Sequence, residues 1–361
     1  MTTHRLRGLI AGLIALMAVV VCGPTFASDA QPFAIGDQSV VPGTRADFHL
    51  PVPAYGDERG TFIPVTVLHG AEAGPVLASV SGVHGFEFPP ILAAARLADR
   101  INPSELSGTV IIVRVANIPS YEGKSPHLNP VDGKNLNRSF PGSPIGTSTE
   151  RIADVISREI VARADFLLDL HCGDGAEYLE AFVGVYGGPL ATNFEQALAI
   201  GRGFGFPNLV RYTMNTQAQI DTGRSLNRQG VATGIPTVLV EFGENGRRDE
   251  KFVQGIVTGV ENALSILGIW DKPQRNVPEV LRLFEGTTAT KAMHSGLYYP
   301  EDPARRYWWK GDLIGVIRDY SGKEVQRVYS PVDGYALYGI TGPPVRAGMS
   351  VATIGNPVEG F

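Results

Sequence analysis

Asp165-Phe166-Leu167-Leu168-Asp169-Leu170-His171-Cys172-Gly173 is the stretch on which the fold turns. Its apolar run is too short for a helix and is bounded by Asp and Gly, so Asp165–Leu170 reads as a buried strand. Similar runs recur on either side of it. Val65–Leu68, Val76–Ser81, Thr109–Ala116, Ala181–Val185 and Thr237–Phe242 are apolar and rich in β-branched residues. Between them lie helical patterns. Pro90–Ile101 is Ala/Leu-rich with Pro early, Thr149–Ala164 follows a Ser/Thr cap with Glu150 in its first turn, and Asn193–Arg202 and Asp249–Leu267 complete the set. This alternation from about Ile63 to about Trp270 predicts an α/β sheet with helices on both faces.

The pattern changes near Asp271-Lys272-Pro273. Short strands punctuated by Gly and Pro follow, at Gly296–Tyr299, Leu313–Arg318, Val325–Tyr329, Gly334–Tyr338 and Ser350–Ile354. The expected division is an α/β catalytic domain over 31–272 and a small all-β module over 273–361. Residues 1–30 read as an export signal: His4, Arg5 and Arg7 precede the apolar run Gly8–Cys22, with small-x-small cleavage options at Thr25-Phe26-Ala27 and Ser28-Asp29-Ala30. That run is short for a membrane anchor and stops at Gly23-Pro24, and bulky Val21 before Cys22 weakens a lipidation reading. The expectation is a periplasmic or secreted protein with no membrane span once the signal is cleaved.

Composition narrows the function classes. The 361 residues are 43% hydrophobic and 19% charged, which suits a folded chain with a sizeable core. A formal net charge of -5 argues against a general nucleic-acid binder. Gly 43 and Pro 26 occur without period and imply many tight turns. Two cysteines exclude both a disulfide framework and a Cys-based metal site.

Four polar clusters follow predicted strands, the end of an open α/β sheet where ligands bind. Ser81-Gly82-Val83-His84-Gly85-Phe86-Glu87 places His84 and Glu87 three apart in a Gly-rich loop, a spacing that lets both reach one metal. Alone, it reads more readily as a solvated loop pair. His171 offers a third ligand, with Asp169 on the same face behind it. Asn137 and Arg138, in Asp132-Gly133-Lys134-Asn135-Leu136-Asn137-Arg138-Ser139-Phe140-Pro141-Gly142, carry planar donors suited to a carboxylate; the plainer reading is a polar loop ending in a Pro-Gly turn. Glu241 and Glu244 compete as general base, or as caps for the helix beginning near Asp249.

In combination and in this order, Gly-Val-His-Gly-Phe-Glu (82–87), Asn-Leu-Asn-Arg-Ser-Phe-Pro-Gly (135–142), Asp-Leu-His-Cys-Gly (169–173) and Val-Glu-Phe-Gly (240–243) resemble the succinylglutamate desuccinylase/aspartoacylase family of the zinc carboxypeptidase clan. The resemblance runs from about Ile63 to the C-terminus, where Ser295–Pro300, Lys310–Gly315 and Ser330–Gly334 look like that family's β-barrel module. It implies a mixed central sheet, zinc carboxypeptidase-like, and one Zn2+ per chain held by His84, Glu87 and His171. It further implies Glu241 as the catalytic glutamate and Asn137 with Arg138 as the substrate-carboxylate pair. Relatives often carry an Arg ahead of the Pro-x-Asp-Gly stretch, where it polarises the scissile carbonyl. His127 stands there in this chain, so the role passes to His127, to Lys124 or to a residue elsewhere.

The implied activity is removal of an acyl group from an N-acyl amino acid or similar small amide. The competing readings are a carboxypeptidase of the same clan acting on exported peptides, and a binding protein with a degenerate site. A non-haem iron site also uses two His and one carboxylate, but a glutamate placed like Glu241 suits hydrolysis better. Gly201-Arg202-Gly203-Phe204-Gly205-Phe206 is a false dinucleotide loop, with Phe206 at the third glycine position.

Overall fold

The apolar runs assemble into a ten-stranded mixed sheet in a computed structural model that describes residues 30–222, 224–275, 282–303 and 305–360. The expected export signal, apart from Ala30, lies outside the described residues. From one edge the strands are Pro357–Val358, Arg282–Glu285, Asn208–Thr213, Phe182–Gly187, Thr237–Glu241, Phe166–His171, Glu72–Ser81, Ser107–Val113, Thr61–His69 and Thr44–Val52. The four strands Thr237–Glu241, Phe166–His171, Glu72–Ser81 and Ser107–Val113 run parallel, and antiparallel neighbours flank them.

Helices cover both faces, as the alternation predicts. On one face Phe88–Arg100, Phe194–Gly203 and Glu250–Ile266 bury Leu97, Ile200, Ile256 and Val260 against Leu77, Leu168 and Val240 of the sheet. On the other, Ser148–Val155 and Leu226–Ala232 set Ile152 and Leu226 against Val67, Val80 and Leu167. Phe88–Arg100 begins with Pro89 and Pro90 in its first turn, where missing N–H groups cost nothing. Ser148–Val155 opens on a capping box in which Thr147 N donates to Glu150 Oε2 at 3.0 Å. The single helix expected over Thr149–Ala164 departs from α geometry after Val155. A wider π turn over Ile156–Ile160 and a tight turn over Val161–Arg163 follow, and Ile156, Ile160 and Val161 all stay buried.

Register places the chemistry. Glu241 pairs directly with His171, and Ser81 with Leu170, so three adjacent parallel strands end at one level. The loop leaving Ser81 is drawn tight against the segment 114–120. Gly82 adopts φ +69, and a Cβ placed on it would lie 2.8 Å from Val115 Cα. Gly85 N donates to Ser120 Oγ at 3.1 Å.

Beyond residue 282 the chain forms two small sheets that enclose Tyr298, Trp308, Ile314, Ile317, Val328, Val351 and Ile354. Of the adjacent Trp308 and Trp309, the first is in this core and the second is exposed. Arg282–Glu285 and Pro357–Val358 rejoin the large sheet, and the strand Glu177–Leu179 pairs with Gly334–Ile340 of the smaller one. Phe182, Val210, Phe284 and Leu337 form an apolar contact between them.

A Cβ on Gly85 would lie 2.2 Å from the Ser120 carbonyl oxygen, a backbone atom that cannot swing away. Gly85→Ala is therefore expected to destabilise the protein by about 1–3 kcal/mol, read as a lower midpoint in denaturant unfolding with unchanged slope. An unaltered midpoint would show that the loop is loose.

Candidate functional site

Three side chains converge where the parallel strands end. Glu87 immediately precedes the helix Phe88–Arg100 but does not cap it; its carboxylate turns instead to two histidines. His84 Nδ1 lies 2.7 Å from Glu87 Oε1, and His171 Nδ1 lies 2.8 Å from Oε2. The second contact lacks hydrogen-bond geometry, which leaves Oε2 buried with no hydrogen bond. The far ring nitrogens are held by acceptors. His84 Nε2 faces Asn135 Oδ1 at 3.2 Å, and His171 Nε2 faces Asp169 Oδ1 at 2.9 Å. Asn135 Oδ1 is fixed as an oxygen because it also accepts the Asn137 N–H at 2.8 Å. Asp169 is anchored in turn by Asn227 Nδ2 at 2.9 Å.

These outer contacts put the ring protons on Nε2 and aim both Nδ1 lone pairs at a carboxylate. Lone pairs facing an anion require positive charge between them, and a divalent metal meets that need with two imidazoles and a carboxylate. The titration behaviour points the same way. Burial works to raise the Glu87 carboxyl, but the His171 and His84 rings outweigh it and hold it low. Burial works to lower His171, but Asp169 and Glu87 outweigh it and push it well up. His84, Glu87 and His171 are thus the residues able to hold a metal, their donor atoms all within 4.8 Å of one another.

Glu241 ends the neighbouring strand and opens onto the same cleft. Its Oε2 is buried without a hydrogen bond. Burial, then the nearby charges of Glu87, Glu177 and Asp169, push its carboxyl well above the usual range against the pull of His171. Glu244, its competitor in sequence, turns away to Arg247 at 3.4 Å.

Asn137 and Arg138 sit on the single turn Leu136–Arg138. Asn137 Oδ1 accepts the Leu226 N–H at 3.0 Å, which orients its Nδ2 as the remaining donor. Arg138 lines the cleft, and among the described residues no carboxylate lies within ion-pair distance of its guanidinium. Burial and the neighbouring Arg228 charge lower its pKa. Arg224 donates to Phe140 O at 3.3 Å and Arg228 donates to Gln219 O, so both are turned to backbone.

His127 is brought beside His84, the ring centroids 5.3 Å apart. Its Nδ1 lies 2.8 Å from Asp174 Oδ2 and its Nε2 3.2 Å from Glu177 Oε1. Asp174, then its own and Glu177's charge, raise the His127 pKa against burial. Lys124, the alternative, is exposed and lies outside the cleft lining. Asp174, Glu177 and Tyr338, whose hydroxyl donates to Glu177 Oε1 at 2.7 Å, escaped the sequence reading. The Asp-x-x-Glu spacing directly after the His171 strand was the available signal for the first two.

His84, Glu87, His127, Asn137, Arg138, His171, Glu177 and Glu241 line one side of a cleft of about 1140 Å3, and the C-terminal sheets line it too, with Leu297, Tyr338, Val345 and Met349.

Residues 73–267 match the family model described as the succinylglutamate desuccinylase/aspartoacylase catalytic domain. N-alpha-acetyl-L-2,4-diaminobutyric acid deacetylase of Halomonas elongata is 31% identical over 256 residues, covering 69% of this chain and 72% of the relative. The product-bound ectoine utilization protein EutE (DoeB) from Ruegeria pomeroyi shares the fold with a TM-score of 0.76 at 24% identity, over 88% of this chain and 97% of that one. A succinylglutamate desuccinylase/aspartoacylase from Rhodobacter sphaeroides does so with a TM-score of 0.74 at 24% identity, over 88% and 96%. The large mixed sheet with its added small β sheets is the fold of these zinc carboxypeptidase-like proteins, and the chain belongs to the succinylglutamate desuccinylase/aspartoacylase family.

Proposed function

We propose that this chain is an exported, zinc-dependent amidohydrolase that releases the acyl group from an N-acyl amino acid. The observation that carries the reading is the convergence of two Nδ1 atoms on Glu87, with the unpaired Glu241 carboxylate opening onto the same cleft. The deacetylase relative acts on a compound of this class by its name, and the basic-then-apolar leader supports export. In this reading residues 31–272 carry the chemistry and residues 273–361 wall the cleft.

Zn2+ on His84, Glu87 and His171 would polarise the scissile carbonyl and bring the pKa of a water toward neutrality. Glu241 takes a proton from the attacking water and delivers it to the leaving amine. Burial beside other carboxylates favours its protonated form, which suits a group that takes up a proton and then returns it. Arg138 and the Asn137 Nδ2 hold the α-carboxylate and so set the amide over the floor. His127, held between Asp174 and Glu177, contributes positive charge near the developing oxyanion. Because both its nitrogens are engaged, it acts through its field rather than through a donated hydrogen bond.

Glu241→Gln is expected to retain about one zinc per chain by elemental analysis and to lose roughly 10²–10⁴-fold in kcat. Near-normal turnover would remove Glu241 from the reaction. Arg138→Ala is expected to raise KM about 10–100-fold for carboxylate-bearing substrates, with a smaller change in kcat. An unchanged KM would place the carboxylate elsewhere. Chelation is expected to abolish release of amino acid from N-acetyl and N-succinyl amino acids, and added Zn2+ to restore it. Cleavage of short peptides alone would make the protein a carboxypeptidase instead.

A further inference from the structure

We propose that the cleft is shaped for an acyl group longer and more apolar than acetyl. This deepens the deacylase reading and rests on it. The space, about 1140 Å3, exceeds the roughly 300–1,000 Å3 typical of pockets for drug-sized ligands, and an N-acetyl amino acid fills only a small part of it.

The lining divides by chemistry. The floor is polar: His84, Glu87, Asn137, Arg138, His171 and Glu241. The lips are mainly apolar, with Ser125, Tyr320, Arg346, Ser350 and Thr353 as their polar members. Pro126 and Leu128 form one, and Leu297, Pro343, Pro344 and Met349 of the C-terminal sheets form the other. Leu128 is 43% exposed and Met349 39%, and both face the shared space. Single exposed apolar residues are ordinary, but six on facing walls over a polar floor are a binding surface. Arg346 is the one charged residue that the C-terminal sheets contribute to the described lining.

Both lips are pinned in place. Tyr298 N donates to Pro343 O at 2.7 Å, Gly348 N to Ala292 O at 2.8 Å, and Ala347 N to Ser295 Oγ at 3.0 Å. Across the cleft, Asn129 N donates to Lys134 O and Gly133 N to Asn129 O, each at 2.8 Å. A surface ordered before the ligand arrives spends little of its binding free energy on ordering.

The floor decides which half of the substrate reaches the lips. With the α-carboxylate on Arg138 and Asn137 and the amide over His84 and His171, the amino-acid half is tied to the polar floor. The acyl remainder, on the far side of the scissile carbon, is the part left to extend between the apolar walls.

The test is a series of N-acetyl, N-butyryl, N-hexanoyl and N-octanoyl derivatives of one amino acid, with the full mature chain loaded with zinc. Each methylene buried is expected to raise kcat/KM about fourfold until the walls end. Met349→Asp and Leu128→Asp are expected to cut the octanoyl-to-acetyl ratio of kcat/KM at least tenfold. A flat or falling series in which acetyl is still hydrolysed overturns the acyl assignment and leaves the deacylase reading standing. No hydrolysis of any member overturns the deacylase reading itself. A parallel series of N-acetyl-Gly, -Ala, -Leu and -Phe guards the assignment of halves: if rate climbs there and not with acyl length, the lips serve the amine half and the proposal fails.

Discussion

Direct pairing of His171 with Glu241, and of Leu170 with Ser81, is the constraint from which the site follows. Parallel strands in register bring their carboxyl ends to one level, and a ligand group leaving each end meets its neighbours without a long loop. His171 and Glu241 are themselves the last residues of their strands, so the sheet's hydrogen bonds position them. Of the metal-holding residues and the general base, His84 and Glu87 are carried by a loop, and that loop is tight because Gly82 and Gly85 let it lie against the backbone of residues 114–120. A shift of one residue in either pairing would turn His171 or Glu241 to the opposite face.

The same crowding concentrates charge. Glu87, Asp169, Asp174, Glu177 and Glu241 lie within a few side chains of one another, largely removed from water. Burying like charges together is costly unless each finds a partner. The structure answers with His84 and His171 around Glu87, His127 between Asp174 and Glu177, and Asn227 on Asp169. Glu241 is the carboxylate left without such support, and burial pushes its carboxyl well above the usual range. That contrast between a stabilised and an unsupported acid is how one pocket assigns different tasks to like groups.

The legible part of the fold is the part buried on both faces. Phe166–His171 and Thr237–Glu241 read as strands because each carries a short apolar run, Phe166–Leu168 and Val238–Val240, and Phe88–Arg100 reads as a helix because its buried positions recur at helical spacing. Thr44–Val52 did not stand out because, at the edge of the sheet, most of its residues face water and its sequence is mixed. Asn208–Thr213 is interior, yet Asn208 and Arg211 broke its apolar run; they are there to bind Ala181 O and Glu285. In the site, His84, Glu87, His171, Asn137, Arg138 and Glu241 belong to short motifs and were visible as such. Asn135, Asp174, Glu177 and Tyr338 act through partners 51, 47, 50 and 161 residues away, a relation that no local pattern carries.

The short strand Pro357–Val358 has a consequence for how the protein is made. It covers the outer edge of Arg282–Glu285, so the large sheet is completed by a strand that follows both small sheets in the sequence. As synthesis proceeds from the N-terminus, the edge at 282–285 stays open until the rest has emerged. An open edge is a template for pairing with another chain. The intervening sheets must therefore fold and bring Pro357–Val358 back before two unfinished copies meet, which makes the order of folding, as well as the final contacts, a condition for correct pairing.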